Sequence, residues 1–91
     1  MSDGKFFHIF LQTRIDVTQK QVDDLMNQSV DWFRYDSSNW VVYSMSDADA
    51  LWDQFKSLVE PNGTMFVCEL KTQNSNGWMP ASLWKWLKKN C

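Results

Sequence analysis

The sequence predicts an α+β domain: an antiparallel sheet with elements in the order β-α-β-β-α-β, followed by one added C-terminal helix. Three observations lead to this class. Short aromatic-rich runs alternate with two segments of helical hydrophobic spacing, the turn-forming run Asp36-Ser37-Ser38-Asn39 separates two strands, and Pro80 precedes a last apolar segment. The 91 residues suit one domain, so we expect a single domain over residues 1–91. Within it, we expect residues 1–4 to form a flexible N-terminus and residues 72–77 a loop.

The first strand and the first helix occupy the N-terminal third of the chain. Phe6–Gln12 is short, aromatic-rich and apolar at both parities, which is typical of a strand. Thr18 can cap the helix that follows, and Gln21, three residues later, completes a capping-box pattern. The apolar face of this helix consists of Val22, Leu25 and Met26.

A β-hairpin and a second helix follow. Val30–Asp36 and Trp40–Ser44 are the predicted strands, because the Asp, Ser and Asn side chains between them bond their own backbone in turns. Ser46 and Asp49 form a cap signature before a stripe of apolar residues that repeats at helical spacing from Ala48 to Val59. This stripe is the clearest amphipathic pattern in the chain.

The C-terminal third contains a strand and a short helix. Pro61-Asn62-Gly63 ends the second helix, and Thr64–Lys71 is the fourth predicted strand. Pro80 suits the first position of the last helix, where its missing N–H costs nothing. Without this last helix, the order of elements is the ferredoxin-like βαββαβ arrangement.

The strands are apolar on both sides, whereas a sheet with one face in water alternates apolar and polar residues. Two helices on one face leave the other face bare, and soluble monomers rarely expose so large an apolar patch. Either the terminal helix folds under the sheet or a second subunit covers it. We favour a homodimer, because the terminal helix is short. The residues predicted for its interface are Phe6, Phe10, Trp40, Met65, Val67, Trp78 and Trp84.

The net charge of the chain and the lengths of its apolar runs bear on whether it binds nucleic acid or a membrane. The net charge is −2, which gives no bulk support for a nucleic-acid partner. A cluster of lysines beside Trp84 and Trp86 is a possible nucleic-acid contact, although lysines there also complement the helix dipole. This cluster consists of Lys85, Lys88 and Lys89. No apolar run approaches a membrane span and no signal peptide begins the chain, so we expect a cytoplasmic protein without a membrane partner.

Residues able to ligate metals or act in catalysis are scattered. The single histidine, His8, lies in the middle of a strand and suits a hydrogen-bonded interior or interface position. Cys68 and Cys91 cannot complete a zinc site with it, and Cys91 could pair between chains in an oxidising buffer. Asp16 and Glu69 are weak candidates for a divalent-metal site, which needs several converging oxygens. We therefore expect no cofactor.

Five segments between residues 5 and 90 carry a resemblance to a known family. They are Trp32-Phe33-x-Tyr35, Ser38–Val42, Ala48–Leu58, Met65–Leu70 and Gly77–Leu87. In these segments the chain resembles a group of small proteins described as SinR-like, which is similar to the small CRISPR-associated ferredoxin-like nucleases. The most specific match is the tail Gly77-Trp78-Met79-Pro80, which leads into a tryptophan-rich helix.

The resemblance implies a ferredoxin-like domain in a symmetric dimer. In the related nucleases it also implies metal-dependent phosphodiester cleavage by an aspartate at the end of the first strand of each subunit. That position falls here on Gln12 or Thr13, and neither carries the negative charge that magnesium prefers. The next acid is Asp16.

The function predicted from the sequence is a non-catalytic homodimeric module, a degenerate relative of those nucleases that acts through protein or weak nucleic-acid contacts. The alternative is a metal-dependent endonuclease for RNA or DNA, with Mg²⁺ or Mn²⁺ held by Asp16 or Glu69. A toxin-like RNase of a mobile element is a variant of that alternative.

Overall fold

A computed structural model describes residues 4–90. Most of the flexible N-terminus expected over residues 1–4 and the proposed pairing of Cys91 therefore lie outside the described residues. The described elements are β1 (Lys5–Gln12), α1 (Gln19–Met26), β2 (Asp31–Asp36), β3 (Asn39–Ser44), α2 (Ala48–Val59), β4 (Thr64–Leu70), a 3₁₀ turn (Thr72–Asn74) and α3 (Ala81–Lys89). This is the element order that the sequence predicts.

Local capping explains where the helices begin. Thr18 and Gln21 form the predicted reciprocal capping box at the start of α1. At α2 the cap is Asp47 and not the predicted Ser46. The backbone of Asp47 is extended, and its carboxylate accepts a hydrogen bond from the N–H of Ala50 at 2.8 Å. Pro80 precedes α3 as its cap residue rather than forming its first turn.

The four strands form one antiparallel sheet in the order β2-β3-β1-β4. β1 is central and pairs with β3 on one side and β4 on the other. Ile9 lies opposite Trp40 and also opposite Val67, so these three side chains share one face. The fold is therefore α+β, with a four-stranded antiparallel sheet and three α-helices among the described residues.

One face of the sheet packs against both α1 and α2. Its core is a single cluster of buried side chains contributed by two strands, β1 and β3, and by both helices. The fully buried members, each with 2% exposure or less, are Phe7, Ile9, Leu11, Met26, Trp40, Val42, Leu51 and Phe55. Val22, Leu58 and Val59 complete the helix side of this core.

The opposite face packs against α3. The second core cluster joins Phe6, Val41 and Tyr43 of the sheet to Leu83 and Trp86 of the helix. The expectation that the terminal helix is too short to cover this face is wrong for the end of the sheet where β1 begins. One large ring compensates for the length of the helix, because Trp86 reaches Phe6 with a centroid distance of 5.7 Å.

Among residues 4–90, no helix has both the length and the apolar character that crossing a bilayer requires.

Candidate functional site

The second face of the sheet is covered at one end only. Beyond α3, Phe10 of β1 lies opposite Phe66 of β4, and Cys68 follows on the same face. Phe66 is 62% exposed and Cys68 is exposed, whereas Phe10 is half-buried. We call these three residues the open half-face. An exposed phenylalanine beside a second one makes the open half-face a candidate contact surface.

The predicted interface residues do not share one face. Phe6 and Phe10 lie on the face toward α3, and Phe6 is buried beneath that helix. Trp40, Met65 and Val67 lie on the opposite face, where they pack in or against the core under α1 and α2. Assigning these three to the same surface as Phe10 was wrong. The sequence of a strand shows that its side chains alternate between two faces. Only the pairing of strands shows which face of the sheet each set of side chains occupies.

The two remaining tryptophans of that prediction lie outside both cores. Trp78 precedes α3 and is 101% exposed, while Trp84 on α3 is half-buried. Neither contributes to the cluster beneath α3. Both rings are therefore candidates for contact with another molecule.

β4 forms a free edge of the sheet. The N–H of Leu11 donates to Ser38 at 2.8 Å, on the β3 side of β1. Successive residues of a strand direct their backbone groups to opposite sides, so the even-numbered residues of β1 bond toward β4. Their partners in β4 are also even-numbered. The backbone groups that point away from β1 therefore belong to Met65, Val67 and Glu69.

The two edges of the sheet differ in how they are protected. The register between β2 and β3 shifts between Arg34 and Asp36, and charged residues occupy the outer strand. β4 pairs with β1 over seven residues without a register shift, and it contains neither lysine nor proline. Natural sheets commonly use such bulges and charges to prevent pairing with another chain. The β4 edge has no bulge, and its one charged residue, Glu69, lies near its C-terminal end, so the stretch from Met65 to Cys68 is open to pairing.

A groove lies at the other end of the second face, between the ends of β1 and β4, the turn after β4, and one side of α3. We call it the α3 groove; its volume is about 870 Å³, within the range of ligand clefts. Leu70, Trp84 and Leu87 form its apolar part. Lys5, Lys71 and Lys88 also line it.

The lysines of the α3 groove differ in their ion pairs. Lys5 pairs with Glu69 at 3.8 Å. Lys71 and Lys88 have no carboxylate within ion-pair distance among the described residues. The groove thus has three cationic side chains against the single carboxylate of Glu69, in a chain whose net charge is −2.

The predicted nucleic-acid cluster separates in the structure. Of the three lysines, only Lys88 lines the α3 groove together with Trp84. Lys89 bonds Asp31 at 3.3 Å, and Trp86 is buried beneath the sheet. The pattern missed Lys71, because the packing of α3 on the sheet, rather than sequence spacing, brings Lys71 and Lys88 to the same groove.

His8 has the hydrogen-bonded position that the sequence predicts. Its Nε2 lies 2.6 Å from the Tyr35 hydroxyl, and the ring is half-buried. Burial raises the pKa of Tyr35, and the nearby Asp36 carboxylate raises it further. This pair joins β1 to β2 across β3, at the boundary between α3 and the open half-face.

The two candidate metal ligands are far apart. A hydrogen bond from Arg14 lowers the pKa of Asp16, which follows the C-terminal end of β1. Glu69 lies opposite Phe7, near the N-terminal end of that strand. At about 3.3 Å per residue, the five steps from Phe7 to Gln12 alone span about 17 Å. One metal ion therefore cannot contact Asp16 and Glu69 in the same chain, and residues 4–90 contain no cluster of three potential metal ligands.

Comparison with protein-family models, with curated proteins and with solved structures found no match to this chain, so the resemblance to the SinR-like family rests on the sequence segments alone.

Proposed function

We propose that this chain is a non-catalytic, ferredoxin-like binding module that works as a homodimer joined through the β4 edge. The strand order β2-β3-β1-β4 supports the ferredoxin-like assignment. Each of the two β-α-β units passes through a helix on the same face of the sheet. The symmetric dimer implied by the family resemblance agrees with this assembly.

The free edge of β4 carries the proposal. Three of its residues direct backbone N–H and C=O groups away from β1, and no register shift blocks the approach of another strand. A second copy related by a two-fold axis offers the same edge in the opposite direction. Antiparallel pairing of the two edges would satisfy both sets of backbone groups in one continuous sheet.

The side chains of β4 suit this pairing. Residues directly opposite each other in an antiparallel pair lie on the same face, so Phe66 and Cys68 of the two copies would meet beside Phe10. Met65 and Val67, both half-buried in one chain, would meet on the other face. Four of the described β4 side chains would then lose water contact together, which stabilises the dimer by apolar burial.

The placement of the carboxylates supports a binding role rather than metal-dependent cleavage. Asp16 and Glu69 lie toward opposite ends of β1, and each has a cationic partner, Arg14 or Lys5. The position that carries the nuclease aspartate in the resemblance corresponds to the uncharged, exposed Gln12. A metal ion that polarises phosphate oxygens needs converging carboxylates.

Light scattering coupled to gel filtration tests the assembly. At about 100 µM, wild-type protein should have the mass of a dimer, whereas Phe66→Asp should shift toward the monomer because the two-fold axis brings both new charges together. Trp78→Asp is the matched control, since Trp78 is also an exposed aromatic side chain but lies outside β4. It should leave the dimer intact. A monomeric wild type, or equal loss of dimer in both variants, overturns the proposal.

A proline at Val67 gives a second test. The Val67 N–H points away from β1, so Val67→Pro removes a donor to the partner without removing a bond of the β1–β4 ladder. The variant should retain its circular dichroism spectrum and lose the dimer.

Incubation with labelled RNA and DNA, with and without Mg²⁺ or Mn²⁺, tests the non-catalytic part. Cleavage by wild-type protein that disappears in Asp16→Asn would refute it.

A further inference from the structure

The α3 groove lies away from the open half-face, although it shares Glu69 with the end of the β4 edge, and it carries a separate inference. We propose that it binds a small anionic molecule with a planar ring, and that the chemical class is a nucleoside phosphate. The groove combines an apolar wall with two cationic side chains that have no ion-pair partner among the described residues. This combination recognises a ring and an anion on the same molecule.

The apolar wall suits a ring. Trp84 lines the groove with Leu70 and Leu87, and it is half-buried without belonging to the core cluster beneath α3. A large flat side chain at a groove wall that the core does not require is available for stacking on a base. The groove is open to solvent, so an alkyl chain lying in it would remain partly wetted.

The cationic side chains suit a phosphate. Lys71 follows β4 and Lys88 lies one turn beyond Trp84 on α3, so the two approach the groove from different elements. Lys5 adds a third charge, partly offset by Glu69. In a chain of net charge −2, this local excess of positive charge attracts an anion to the groove rather than to the rest of the surface.

The same charges argue for a small molecule and against a nucleic-acid strand. Binding along a strand neutralises many phosphates and normally requires a broad basic surface. Of the three lysines once grouped as a nucleic-acid patch, Lys89 bonds Asp31 and Lys85 does not line the groove. Two lysines without an ion-pair partner in the described part of the chain, together with one ring, match a single nucleotide.

Isothermal titration calorimetry with adenosine 5′-diphosphate tests the proposal on the intact chain. We expect saturable binding, with adenosine alone and pyrophosphate alone each at least about tenfold weaker, because each retains only one half of the recognition. Lys71→Ala and Lys88→Ala should each weaken binding about tenfold. Trp84→Leu should weaken it similarly while the circular dichroism spectrum stays unchanged.

Lys85→Ala is the matched control, because Lys85 lies on the same helix without lining the groove. It should bind like wild type. The proposal is overturned if the nucleotide does not bind at millimolar concentration or if Lys85→Ala weakens binding as much as the groove variants do. It is also overturned if pyrophosphate binds as tightly as adenosine 5′-diphosphate, or if decanoate binds more tightly than the nucleotide. Phe66→Asp should bind the nucleotide normally, so failure of the groove and failure of the dimer are separate results.

Discussion

The two faces of the sheet show how helix length determines what a small domain leaves uncovered. Under α1 and α2, Ile9, Val42 and Phe55 have no exposed area. On the other face, α3 has nine residues and extends about 13 Å, whereas the eight residues of β1 span about 26 Å. One short helix therefore covers only part of its face, and Phe66 and Cys68 stay exposed. The open half-face adjoins the β4 edge, and the proposed dimer would cover both.

The buried residues of the two faces depend on different parts of the chain. The face under α1 and α2 is closed by helices from both halves of the chain, so its burial depends on the whole fold. The covered end of the second face depends on one terminal helix and on the contacts of Leu83 and Trp86. We expect the two faces to differ in stability, and the following predictions test that difference.

Phe55→Ala should have the largest effect. The side chain is fully buried between α2 and the sheet, and truncating such a ring removes its burial and leaves a cavity. We expect the free energy of unfolding to fall by about 3–5 kcal/mol, measured by urea denaturation. A decrease below about 1 kcal/mol would contradict the assignment of this face as the main core.

Leu83→Ala should have a smaller and more local effect. The residue is buried under one end of the sheet, and we expect a loss of about 2–3 kcal/mol. Hydrogen exchange should show lost protection in α3 while the amides of β1 remain protected. Lys85→Ala, on the exposed side of the same helix, is the control and should leave exchange unchanged. Equal loss of protection in β1 and α3 would mean that the two faces unfold together.

The attachment of α3 should depend on pH through Asp31. Partial burial raises the pKa of the Asp31 carboxyl, but hydrogen bonds from Asn90, the Trp32 N–H and Lys89 outweigh it and hold the pKa below its usual value. Because the pKa of Asp31 is lower in the folded chain than in the unfolded chain, its ionised carboxylate stabilises the fold at pH values above the unfolded-state pKa. That stabilisation is lost as the pH falls through the folded-state pKa.

Asp31→Asn should remove this dependence and cost about 1 kcal/mol or less near pH 7. Thermal unfolding of the wild type and of Asp31→Asn between about pH 2 and pH 7 measures this pH dependence of stability. Curves that run parallel across the acidic range would contradict the role of Asp31.

Phe66→Ser should have the smallest effect on stability. The ring is largely exposed and contributes to neither core cluster, so the free energy of unfolding of the monomer should change by no more than about 0.5 kcal/mol. The measurement is urea denaturation at low protein concentration. A loss comparable to that of Leu83→Ala would place Phe66 in the folded core and remove the contrast between the two halves of this face.

Local signals in the sequence predicted the elements well. The capping box at Thr18, the apolar stripe of α2 and the stop at Pro61-Asn62-Gly63 each act through neighbours a few residues away, and the structure places them as expected. The hydrogen-bonded position of His8 was also predicted. The cap at Asp47 differs by one residue because both neighbouring side chains could accept the bond, and backbone geometry decides between them.

The candidate site was less predictable, because it depends on contacts between distant residues. Lys5 and Lys71 reach one groove because β1 and β4 are antiparallel neighbours. Met65 and Val67 face the helices because their register places them beside Ile9 and Leu11. Nothing in the spacing of residues along a single strand contains that information.

The sequence by itself determined that strands and helices alternate in this order and that the strands are apolar on both sides. Both follow from local periodicity and capping. Only the tertiary structure decided that α3 covers part of the second face, that the β4 edge stays open, and that Lys71 and Lys88 line one groove with Trp84. Those features depend on which strands pair, in which register, and on how far a nine-residue helix extends across them.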